Sequence, residues 1–152
     1  MTRHRPAAIA VALAALLLTG CVATGPQPED AIPPALLASD LDILEAEAGK
    51  GNDGFSVNVS ASFLVERDEL SADDLRDVLR IVVENTHITN INAISILARS
   101  DELESTEGFE HNVTIDLVPV AEELGLENQT SGRTGSIKVD WDAVVTMLKE
   151  NR

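Results

Sequence analysis

From Phe55 to Val65 the chain alternates. Phe55, Val57, Val59, Ala61, Phe63 and Val65 fall on one parity, and Ser56, Asn58, Ser60, Ser62 and Leu64, mostly small and polar, on the other. A period of two belongs to a strand with one buried and one polar face. Downstream the pattern becomes helical. Ser71 sits where an N-cap belongs, and Asp74 three residues on completes a capping-box pattern. Leu75, Val78, Leu79, Val82 and Val83 follow at helical spacing. Two more alternating runs, Ile91 to Arg99 and Phe109 to Leu117, predict strands, and Ser136 to Trp141 predicts a fourth. Pro119 to Leu124 reads as a short helix closed by Gly125, on which Leu126 folds back. Asp142 to Lys149 reads as a terminal helix. Upstream, Leu37, Leu41, Leu44 and Ala48 are spaced four, three and four apart, which predicts a helix from Ala35 to Ala48. Gly49 to Gly54 then reads as a loop.

After the first helix this order is β-α-β-β-α-β, followed by a helix. The expected fold is α+β: a ferredoxin-like, split β-α-β sandwich. It would have an antiparallel four-stranded sheet, helices on one face and an extra N-terminal helix. An α/β layer with some parallel pairing is the alternative. The face left open would carry Ser56, Asn58, Ser60, Ser62, Asn112, Thr114, Ser136 and Lys138.

The N-terminal end has a different character. Arg3, His4 and Arg5 give a positive start, and Ile9 to Leu18 is an uncharged run of about ten residues. That suits the apolar region of a signal peptide and falls short of the roughly 20 residues a membrane span needs. The run ends in Leu18-Thr19-Gly20-Cys21, which holds the only cysteine in the chain. These four residues resemble the lipobox of bacterial membrane lipoproteins. The resemblance implies a diacylglyceryl group on the Cys21 sulfur and cleavage just before it by a lipoprotein signal peptidase. Residues 1–20 would then be a signal peptide. Residues 21–34, with Pro26, Pro28, Pro33 and Pro34, would be a lipidated flexible tether. Residues 35–152 would form a single globular domain. The implied location is the cell membrane, lipid-anchored on its extracytoplasmic side. The chain as a whole, including the stretch from Leu117 to Gly125, resembles small lipoproteins of high-GC Gram-positive bacteria, a likeness that implies no activity and no catalytic residue.

Charge narrows the partners. The chain has 11 Lys and Arg against 26 Asp and Glu. Without the two arginines of the signal peptide the balance is 9 − 26 = −17 on 152 − 20 = 132 residues. Such a charge excludes nucleic acid, whose binding needs clustered cations. It gives no attraction to anionic headgroups either, so the lipid must do the anchoring.

Candidate chemistry is sparse. Glu84 and His87 are three residues apart, but two ligands do not make a metal site, and no second histidine or cysteine set joins them. His111 stands near the start of a predicted strand. No serine has a Gly-x-Ser-x-Gly setting, and Gly49-Lys50-Gly51 lacks the flanking residues of a phosphate loop. No cofactor is implied. The expected function is that of a membrane-anchored envelope lipoprotein with a non-catalytic binding or accessory domain. Its partner would be an envelope protein or a small ligand, met by Asn58, Ser60 and Ser62 on the polar strand face. The alternative is a cell-wall-associated hydrolase whose site carries no recognisable motif.

Overall fold

The structure is a computed structural model that describes residues 25–54, 56–101, 113–129 and 135–150. Cys21, the signal segment, Phe55, His111 and the first part of the predicted third strand lie outside the described residues. The elements are α1 (Pro28–Leu37), β1 (Ile43–Asp53), β2 (Ser56–Val65), α2 (Ala72–Glu84), β3 (Ile91–Ser100), β4 (Val113–Thr114), α3 (Val118–Glu123), β5 (Ile137–Asp140) and α4 (Trp141–Glu150). They form an α+β fold around one mixed, open, five-stranded sheet.

The sheet corrects the expected topology. β2 pairs antiparallel with β1 and parallel with β3. The parallel ladder runs from Val57 against Ile91 to Val65 against Ser100, so no gap remains between β2 and β3 for a third strand. The unit β2-α2-β3 is therefore an unsplit β-α-β, and the sheet is not the antiparallel four-stranded sheet of a ferredoxin-like sandwich. β4 is only two residues long and meets Arg99 and Ser100. β5 meets Ala93 to Ile96 on the same edge of β3.

The N-terminal helix is also displaced. Residues 43–53 form a strand, and the glycines at 49 and 51 that suggested a loop lie within it. The helix begins at Pro28, where the sequence predicts tether, and holds Pro33 and Pro34 inside it. Its stripe is Pro28, Ile32 and Leu36, spaced by four and buried, whereas Leu37 and Leu44 are 49% and 42% exposed. Burial of Ile32 and Leu36 in the core offsets the hydrogen bonds the two prolines cannot donate. The folded unit thus includes residues that the predicted boundary at Ala35 would cut away.

The helices share one side of the sheet. Ile43, Val59, Ala61, Phe63, Val65, Ile94, Ile96, Ala98, Ile137 and Val139 form the buried face, as cross-strand register requires. Leu75, Val78, Leu79 and Val82 of α2 pack on it, with Val144, Met147 and Leu148 of α4. At the end of α3 the Leu126 N–H donates to the Ala121 carbonyl and the Gly125 N–H to that of Glu122, both at 2.9 Å. These two bonds, with Gly125 at φ +71°, make the expected Schellman closure.

The start of α2 carries a measurable consequence. The Asp74 N–H donates to Ser71 Oγ at 3.2 Å, and the Ser71 N–H donates to Asp74 Oδ2 at 2.9 Å, the expected capping box. Arg67 joins it: Nη1 donates to Asp74 Oδ2 at 3.2 Å and Nη2 to the Leu41 carbonyl at 2.7 Å. Partial burial by itself would raise the Asp74 pKa. The Ser71 N–H and hydroxyl, with the Arg67 charge, outweigh it and hold the carboxyl below the usual Asp value. A depressed folded pKa adds stability that is complete above the unfolded value and is lost as pH falls through the folded one. Asp74→Asn is therefore expected to cost about 0.5–2 kcal/mol near neutrality, through the lost negative charge at the helix N-terminus and beside Arg67. The gap from wild type in urea denaturation should close in solutions more acidic than the ordinary Asp range. A gap that stays constant down to acid unfolding would show that the carboxylate charge plays no part.

Candidate functional site

The face of the sheet away from the helices is built in rows set by register. One row runs Gly49, Ser60, Ser95, Lys138 across β1, β2, β3 and β5. The next runs Glu47, Ser62, Leu97. On one side of these two rows lie Gly51, Asn58, Ala93 and Asp140, and on the other Glu45, Leu64, Arg99 and Thr114. Glycine and serine keep the middle rows low, and longer side chains stand around them. The result is a shallow groove of about 360 Å³ lined by Glu47, Gly49, Ser60, Ser62, Ser95, Leu97, Ser136 and Lys138, among others.

Ser60 is exposed, and Ser62, Ser95 and Leu97 are half-buried. Ser60 Oγ donates to the Gly49 carbonyl at 3.4 Å, long enough to leave the hydroxyl available to another partner. The two ends differ in sign: Glu47 stands on β1 and Lys138 on β5. Three strand spacings separate those strands, about 14 Å. Hydroxyls both donate and accept, so the floor suits a polar chain carrying its own hydroxyl or amide groups. The groove lining among the described residues offers hydroxyls, one carboxylate and one ammonium, with apolar contact from Leu97 and from atoms of Ala48, Ala61, Ile96 and Ile137.

Of the three contact residues predicted from the sequence, Ser60 and Ser62 come together in this groove. Asn58 does not line it. It lies one row toward the start of β2, and its Oδ1 is buried without a hydrogen-bond partner among the described residues. His87 is exposed in the loop after α2, and no group of three or more His, Cys, Asp or Glu that would hold a metal occurs among the described residues. The sequence reading missed Glu47 and Gly49 because it took their strand for a helix and a loop. A signal was present: Glu45, Glu47, Gly49 and Gly51 alternate with Ala46, Ala48, Lys50 and Asn52. Only two alanines mark the inner side of that alternation, too few to outweigh the glycines. The chain matches no family model, no curated protein and no solved structure.

Proposed function

We propose that this chain is a lipid-anchored envelope protein whose domain binds a partner and catalyses nothing. Cys21 carries the lipid, and the open sheet face carries the binding surface. The observation that supports the binding half is the groove itself, where three adjacent strands place Gly49, Ser60 and Ser95 side by side. Short side chains lose little conformational entropy when a partner orders them. They also let a backbone approach the sheet closely. The partner is a polar segment of an envelope protein or a small polar ligand.

Ser60→Lys tests the binding half. The position is exposed, so folding should change within about 0.5 kcal/mol. The longer side chain and its unpaired charge would fill the groove floor and reject an occupant. Capture from native membranes should yield a partner with wild type that disappears with Ser60→Lys, with circular dichroism as the folding control. The same captured set from a folded variant would refute the groove.

A further inference from the structure

We infer that the end of the domain formed by the β1–β2 turn and the loop after α2 faces the bilayer, and that a lipid surface is the partner of that end. The inference rests on the proposed lipid at Cys21 and adds to it an orientation.

The folded structure already holds the chain at Gly25. A Cβ placed on Gly25 would lie 2.7 Å from His87 Cβ, a separation only glycine tolerates. Two residues on, Lys50 Nζ donates to Gln27 Oε1, tying the segment to the far end of β1. Pro28 is buried, and α1 departs from there toward the opposite end of the sheet, where the Leu41 carbonyl accepts from Arg67 just past β2. Four residue steps separate Cys21 from Gly25, which span at most about 14 Å. The sheet itself is longer: β2 from Ser56 to Val65 covers about 30 Å. A lipid at Cys21 therefore cannot reach the bilayer unless the Gly25–His87 end lies close to it.

Charge along the molecule agrees with this direction. The Val57 N–H donates to the Asn90 carbonyl at 3.2 Å, which joins the turn and the loop into one tip. Asn52, Gly54, His87, Thr89 and Asn90 are exposed there, and residues 85–98 include no Asp, Glu, Lys or Arg. The exposed acids at this end are Glu29 and Asp30 of α1, Glu84 at the end of α2 and Asp142 of α4, beside the exposed Lys50 of β1. The opposite end exposes Asp40, Asp42, Glu66, Asp68, Glu69 and Asp101. An anionic bilayer repels that end more strongly, within a Debye length of about 10 Å at 0.1 M salt.

The test uses the full-length lipidated protein, reconstituted in vesicles of phosphatidylcholine and phosphatidylglycerol. One spin label is placed at Thr89→Cys, at the tip, and in a second variant at Asp68→Cys, at the opposite end. Relaxation by a nickel-chelating lipid should be several-fold stronger at position 89 than at 68. A long Gly/Ser insertion between residues 24 and 25 should erase the difference. Equal relaxation at the two positions in protein that floats with the vesicles overturns the orientation and leaves the anchor standing. Protein that carries no lipid and does not float overturns the anchor, and the orientation with it.

Discussion

Cells expressing Cys21→Ala are expected to incorporate no palmitate analogue into this protein and to leave it uncut at residue 20. The thiol is the only group in the chain that can form the lipid thioether, since no second cysteine exists. A diacylglyceryl group buries roughly 30 methylenes at about 0.8 kcal/mol each, on the order of 20 kcal/mol in all. An attachment of that size is permanent on a cellular timescale, whereas one acyl chain gives only marginal binding. The effect is therefore all or none. The chain without residues 1–20 would bring no counterweight, because a net charge of 9 − 26 = −17 offers no electrostatic attraction to anionic lipid. Among the described residues no helix is long and apolar enough to cross a membrane. Label incorporated equally by wild type and Cys21→Ala would remove the lipoprotein reading and, with it, the orientation inferred from the short link to Gly25.

The elements legible in the sequence are those whose signals are local. The alternation of β2 is carried by Val57, Val59, Ala61, Phe63 and Val65, and four of these five are buried. Ser71 and Asp74 announce α2 because a capping box is a contact between residues three apart. Gly125 and Leu126 announce the end of α3 for the same reason. The failures have a different cause. Pro33 and Pro34 argue locally against a helix, and only the burial of Ile32 and Leu36 under the sheet outweighs them. The spacing of Leu37, Leu41, Leu44 and Ala48 imitates a helix across a boundary between two elements. Leu37 ends α1, Leu44 is the second residue of β1, and both are exposed.

Pairing was the least legible level. No property of β2 or β3 taken alone says whether a strand intervenes between them. The missing piece was β1, whose ladder with β2 extends from Ile43 to Asp53. Once β1 is counted, β2 is filled on both edges, and the later strands are left the outer edges of β1 and β3, of which they take that of β3. The candidate site follows the same division. The polar parity of β2 exposes Ser60 and Ser62 to a reader of the sequence. The groove needs neighbours from β1, β3 and β5, and those neighbours depend on register.

Gly135→Ala is expected to destabilise the domain by about 2–5 kcal/mol, from two separate costs. Gly135 is buried at φ +88°, a backbone conformation that costs an L-residue about 1–2 kcal/mol. A Cβ there would also lie 2.4 Å from Thr114 Cγ2 and 2.9 Å from the Ile115 carbonyl oxygen. Overpacking of this kind costs about 1–3 kcal/mol. The neighbourhood cannot yield easily. The Leu117 N–H donates to the Gly135 carbonyl at 3.1 Å, and the Ile115 N–H donates to Ala98 on β3 at 3.0 Å. Residues 115–117 are thus tied to β3 on one side and to Gly135 on the other. Thr114→Ser removes Cγ2 and leaves the carbonyl in place, so it should relieve the side-chain clash and not the backbone strain. In urea denaturation, the loss caused by Gly135→Ala should shrink in the Thr114→Ser background, with a coupling of about 0.5–3 kcal/mol for a direct contact. A loss below about 0.5 kcal/mol in the wild-type background would place Gly135 among ordinary surface positions. An undiminished loss in the Thr114→Ser background would assign the whole cost to the backbone. Gly135 precedes Ser136 and Lys138, which line the groove beside β3. Strain that shifts residue 135 moves that wall, so capture of a groove partner should weaken in the same variant even where the domain remains folded.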